Sequence, residues 1–180
     1  MMQLTTFLDI NNIHYNVPIS NKKQALEFLG KAMAEILNNS LSPTDKLCIH
    51  PAECFSYFFK REKLGSTGIN NGVALPHAKL LMSQEFQLEK PIAIFLKLEA
   101  GINFESIDHK DVDIIYAIFF SEKICVEYKD SLREIAQQLS DKNLLKHLRA
   151  ALSREEIWQI LSYYDYSVNK NLESRNVMWN

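Results

Sequence analysis

An arginine, a loop rich in glycine and hydroxyl side chains, a short apolar run and a histidine follow one another in Arg61-Glu62-Lys63-Leu64-Gly65-Ser66-Thr67-Gly68-Ile69-Asn70-Asn71-Gly72-Val73-Ala74-Leu75-Pro76-His77. These residue types could handle phosphate. A guanidinium presents fixed donors to phosphate oxygens, and charge-assisted bonds of that kind contribute on the order of 1.5–3 kcal/mol each. Small hydroxyls and exposed backbone N–H groups can form an anion-binding concavity. A histidine with an ordinary pKa near ~6.5 is largely neutral at physiological pH, so one ring nitrogen keeps a lone pair for nucleophilic attack. Other phosphate motifs are missing: Val73 follows Gly72 where a P-loop needs Lys, and there is no G-x-G-x-x-G run. Alone, the loop reads as a plain turn and His77 as a strand-end cap. The ordered segment as a whole is the specific signal.

The flanking elements must hold this segment in place. Ser20 or Asn21 can cap a helix whose apolar face is Ala25, Leu26, Leu29, Met33, Ile36 and Leu37, ending near Asn38-Asn39. Pro51 suits the first position of a second helix running through Phe55, Phe58 and Phe59 to about Glu62. After the loop, Val73-Ala74-Leu75 is a short apolar run stopped by Pro76. Residues 92–98 and 112–120 are near-continuous apolar strands of the kind covered on both faces. Helical spacing returns with Leu132, Ile135, Ala136 and Leu139, then Leu144, Leu145 and Leu148, then Ile157, Trp158 and Leu161. The pattern predicts one α/β sandwich, a mixed central sheet flanked by helices, over residues 1–164. Residues 165–180 are expected to be a polar, frayed tail.

Composition narrows the function. The 180 residues carry 20 Lys+Arg and 22 Asp+Glu, a net charge of −2, which argues against nucleic-acid binding through a basic face. A chain of this size buries roughly 70% of its unfolded surface without a staple. No secretory signal opens the sequence, and its apolar runs are too short to span a bilayer, so a cytoplasmic location without membrane insertion is expected. Cys48, Cys54 and Cys125 have no framework spacing and are expected to be small buried or half-buried side chains. His14, His50, His109 and His147 read as surface or capping residues. His50 and Cys54 alone make no metal site. Asp108, Asp111 and Asp113 read as a polar turn entering a strand. Phe55, Tyr57, Phe58 and Phe59 read as core packing with one partner contact.

The run from Arg61 to Leu80 closely resembles the enzyme IIA proteins of the bacterial phosphoenolpyruvate-dependent phosphotransferase system, in the fructose–mannitol and nitrogen-regulatory branch. A looser resemblance extends from about Leu4 to Leu161, through the Lys23-Gln24-Ala25-Leu26-Glu27 helix opening, the two central strands and the helices at 144–149 and 155–160. The resemblance implies that His77 accepts a phosphoryl group from a small histidine phosphocarrier protein, and that Arg61 stabilises the phosphate. Ser66 and Thr67 then lie in the segment lining the phosphate site, and neither metal nor cofactor is needed. The nitrogen-regulatory type is the nearest, which implies a regulatory role toward target proteins. Fused transporter or IIB domains are not expected in a chain of 180 residues.

Three departures from the family pattern bear on this. Asn70 and Ala78 stand where the family often has Gly; Asn tolerates positive φ and Ala is small. Tyr128 aligns with a second histidine of the family; its phenol can donate to a phosphate oxygen but carries no positive charge. The stretch around Leu47–Glu53 is longer than usual. Two further readings therefore stand beside the first: a binding regulator with slow or lost phosphotransfer, and the IIA component of a sugar transporter.

Overall fold

The computed structural model describes residues 2–44, 47–80, 88–122 and 129–177. Its central sheet is mixed. Strand β4 (Ile92–Ile102) runs antiparallel to β5 (Val112–Ser121), and β1 (Leu8–Val17) lies parallel to β4 on the outer side. Two short strands, β2 (Val73–Ala74) and β3 (His77–Leu80), pair in turn with the other side of β5, both parallel to it. They are one edge strand broken at Leu75-Pro76. Proline has no N–H to give to the ladder, while its carbonyl still accepts from Ile118 N at 2.9 Å.

Alternation along the central strands explains why both apolar runs are nearly continuous. Ile115, Ala117 and Phe119 of β5, with Ile94, Leu96 and Leu98 of β4, join the core under helices α1 (Lys22–Asn39) and α2 (Pro51–Lys63). Ile114, Tyr116, Ile118 and Phe120, with Ala93 and Phe95, join the opposite core. That second core is covered by α3 (Lys129–Gln138), α4 (Lys142–Ala150) and α5 (Arg154–Val177). The expected sandwich is therefore present, with α1 capped by Asn21 and Pro51 opening α2. Gly30 sets the spacing of α1 and α2: a Cβ there would lie 2.7 Å from Phe55 N and 2.9 Å from Pro51 O. The two backbones touch, and this close approach aims the end of α2, with Arg61, at the sheet edge.

Several expectations change. β1 is an additional strand, its inward positions Leu8, Ile13 and Val17 separated by register shifts. Residues 166–177 are helical, not a frayed tail: α5 continues to Val177. Asp165 itself belongs to the body, at 4% exposure. Its carboxylate accepts from Leu4 N at 2.9 Å, Thr5 N at 3.0 Å and Thr5 Oγ1 at 2.7 Å. Tyr116 Oη donates to Leu4 O at 2.6 Å in the same pocket, and burial pushes its phenol pKa far up, keeping the proton in place. Cys48 is exposed, whereas Cys54 is buried and its thiol is pushed up to about 11 by burial and Glu53. His14 is half-buried edge-on against Phe28. Among the described residues no helix is long and apolar enough to cross a membrane.

Asp165 is the anchor of the amino-terminal segment. Asp165→Ala leaves Leu4 N buried without an acceptor and should lower unfolding stability by roughly 2–4 kcal/mol. Thr5→Val, which removes one donor, should cost about 1 kcal/mol. Urea unfolding of the two variants beside the native chain measures both, and equal, negligible losses would contradict this assignment.

Candidate functional site

Arg61 and His77 meet. Arg61 lies on the last turn of α2 and His77 opens β3. Arg61 Nε donates to His77 Nε2 at 3.0 Å, and Arg61 Nη1 donates to Gly65 O at 3.0 Å. On the other side of the ring, His77 Nδ1 lies 2.9 Å from Leu75 O. A carbonyl can only accept, so Nδ1 carries the proton and Nε2 presents its lone pair. The two contacts agree: Arg61 needs an acceptor at Nε2, and this tautomer supplies it.

The loop between them is held by its own hydroxyls. Thr67 Oγ1 donates to Glu62 Oε2 at 2.6 Å, and Thr67 N donates to Glu62 Oε1 at 2.9 Å. Ser66 Oγ donates to Phe104 O at 2.6 Å and accepts from Gly68 N at 3.1 Å. Both hydroxyl protons are thus committed to the protein, and Thr67 is buried. In the resting geometry Ser66 and Thr67 shape the loop, and neither hydroxyl has a proton to offer a phosphate oxygen. Gly68 lies against Ser106: a Cβ on it would fall 2.2 Å from Ser106 Oγ. Tyr128 lies outside the described residues.

Sequence reasoning missed Glu62, Lys22 and the Leu75 carbonyl. Glu62 is buried, and Lys22 Nζ at the start of α1 pairs with it at 2.7 Å. An acidic residue beside Arg61 and five before Thr67 was a usable signal, since it could reach forward to the loop. The carbonyl had none, being common to every residue. Of the three aspartates, Asp108 caps the turn, accepting from Lys110 N at 3.2 Å, while Asp113 already lies in β5. Asp108 accepts from Asn71 N at 2.9 Å, and Asp113 pairs with Arg149 at 2.8 Å, while Arg149 Nη2 also donates to Asn71 O. Together they fasten the Asn71-Gly72 corner that leads into β2. Among the described residues no group of three or more His, Cys, Asp or Glu could hold a metal ion.

Burial lowers the His77 pKa below 6.5, and the Arg61 charge lowers it further; the bond to Leu75 O and the Glu62 charge pull upward but do not win. The folded state therefore holds the ring neutral more firmly than the unfolded chain. For a depressed histidine the linked stability is present above the unfolded pKa, and it is lost as pH falls from about 6.5 toward the folded value. An NMR titration should place the His77 midpoint below 6.5, and Arg61→Gln should move it upward by removing a nearby positive charge. A midpoint at or above 6.5 in the native chain would contradict this account.

Comparison with known proteins identifies the family. Residues 6–164 match the family model described as "Phosphoenolpyruvate-dependent sugar phosphotransferase system, EIIA 2". The nitrogen regulatory protein homolog of Haemophilus influenzae is 35% identical over 168 residues, covering 92% of this chain and 94% of the relative. The nitrogen regulatory protein of Escherichia coli K12 is 33% identical over 161 residues, or 89% of this chain and 90% of that protein. The crystal structure of nitrogen regulatory protein IIA-Ntr from Neisseria meningitidis superposes with a TM-score of 0.72 at 28% identity, covering 86% of this chain and 96% of that one. With its sandwich fold and a family match spanning the Arg61–His77 segment, the chain belongs to the EIIA 2 family of the phosphoenolpyruvate-dependent phosphotransferase system.

Proposed function

We propose that this chain accepts a phosphoryl group on His77 Nε2 from a histidine phosphocarrier protein, and that it acts mainly as a cytoplasmic regulator of target proteins. The observation that carries the reading is the paired contact at His77: Nδ1–H on Leu75 O and Nε2 under Arg61 Nε. It leaves one nucleophilic nitrogen, already facing the charge that a phosphoryl group needs. The regulatory half of the reading draws on the nitrogen regulatory relatives.

In the transfer, the Nε2 lone pair forms a bond to phosphorus as the bond from phosphorus to the carrier's histidine nitrogen breaks. The carrier's ring leaves with that electron pair. No proton has to move on His77, because Nδ1–H stays on Leu75 O. Arg61 must release Nε2 as the phosphoryl group arrives. Its guanidinium can then turn its N–H donors to the phosphoryl oxygens, where charge and position matter most. Binding the carrier aligned for in-line attack supplies the rest of the rate.

Incubation with phosphoenolpyruvate, the first enzyme of the system and a phosphocarrier should give a phosphoryl mass gain that is acid-labile and base-stable. His77→Ala should abolish it. Arg61→Gln should slow it roughly 10²-fold, the usual scale for removing one donor to a transition-state charge. A native chain that gains no mass would overturn the phosphotransfer reading and leave the binding regulator.

A further inference from the structure

Arg61 and Glu62 are consecutive residues on the last turn of α2, and they reach opposite sides of the same imidazole. Arg61 reaches Nε2 directly, at 3.0 Å. Glu62 reaches the Nδ1 side through two residues. Its carboxylate holds Thr67 by both N and Oγ1, at 2.9 and 2.6 Å. Thr67 O then accepts from Leu75 N at 2.9 Å, and Leu75 O faces His77 Nδ1 at 2.9 Å. Each link fixes a residue in place. Leu75 precedes Pro76, which restricts it to extended backbone and so limits where its carbonyl can point.

We infer that Glu62 and Thr67 are positioning residues that set the tautomer of His77, by holding the Leu75 carbonyl against Nδ1 through the Thr67–Leu75 backbone bond. The inference rests on reading Nε2 as the phosphoryl-accepting atom. A buried carboxylate is a costly way to pin a loop, since taking a charge out of water is expensive unless it is paired. Here Lys22 Nζ supplies the pairing at 2.7 Å, and both carboxylate oxygens are used on Thr67. Such charge-assisted bonds hold geometry more firmly than neutral ones. Without the clamp, Thr67 and then Leu75 are free to shift. The Nδ1–H then loses a fixed acceptor, and the proton can move to Nε2, where it blocks the nucleophile.

The test is a tautomer measurement on the full chain, made without any carrier protein. Histidine-ring 15N NMR at neutral pH reads which nitrogen of His77 is protonated, with His77→Ala used for assignment. The native chain should show Nδ1–H predominating. Glu62→Gln and Thr67→Val should each reduce the ratio of Nδ1–H to Nε2–H about fivefold, the scale of one ordinary hydrogen bond. Thr67→Ser, which keeps the hydroxyl, should restore it. A purely structural role would lower unfolding stability and leave the ratio unchanged in the folded variants; that result would overturn the inference, as would a native ring protonated on Nε2. Should Glu62→Gln not fold once Lys22 loses its 2.7 Å partner, Thr67→Val, which keeps the carboxylate and the backbone donor, decides the matter. A chain that takes no phosphoryl group still reports its tautomer, so the two readings fail separately.

Discussion

Everything at the site depends on an imidazole with one nitrogen protonated and the other bare. The Leu75 carbonyl enforces the first condition, and Arg61 exploits the second. A free histidine exchanges its proton between the two nitrogens readily, so the protein's work lies in making the nitrogens unequal. Burial contributes by holding the ring neutral. The guanidinium occupies the lone pair until something more negative arrives. The resting site is thus shielded from protonation at the atom we propose takes the phosphoryl group.

The fold meets this requirement at a break in its own sheet. The register against β5 is kept across Leu75-Pro76, so Pro76 O faces β5 while Leu75 N and O lie on the free edge. There Leu75 N donates to Thr67 O, and Leu75 O is left for His77 Nδ1; Pro76 removes only its own N–H from the ladder. The strand resumes at His77 against Ile118, so the ring is anchored to the most buried strand of the sheet. Rigidity comes from β5 and the α1–α2 contact at Gly30; the irregularity is confined to two residues. A site on regular structure next to one local departure keeps its geometry better than one carried wholly on a loop.

Much of this was legible in the sequence. Helix α1 showed its apolar face and its cap, α2 its proline, and β4 and β5 their unbroken apolar runs, because each buries enough side chains to impose a period. β1 was not legible: Leu8, Ile13 and Val17 face inward at spacings that register shifts make irregular, with polar residues between. The carboxyl-terminal half of α5 is similarly hidden, since it is largely polar and carries little one-sided pattern. At the site, Arg61 and His77 stood out by type and spacing, and the two side chains do meet. Ser66 and Thr67 were identified by type, yet their protons go to Phe104 and Glu62. Hydroxyls compete for nearby backbone and carboxylate partners before any ligand is present, and one partner, Phe104, comes from a distant loop that no local pattern reveals.

The grip of Asp165 on Leu4 and Thr5 joins the two ends of the fold across almost the whole chain. Contacts of such separation are the slowest to form, because the intervening loop must close first. On a ribosome, the segment before β1 emerges ahead of the rest of this fold and waits for its carboxylate until α5 has been made. Until then the amino-terminal segment is held by Tyr116 Oη on Leu4 O and Ala93 N on Phe7 O without the carboxylate, and the protein's vulnerability to mispairing is concentrated there. The histidine site, by contrast, is assembled from residues 22 to 118 and is complete well before synthesis ends. The Arg61–His77 pairing is built early in this chain, and closure comes last.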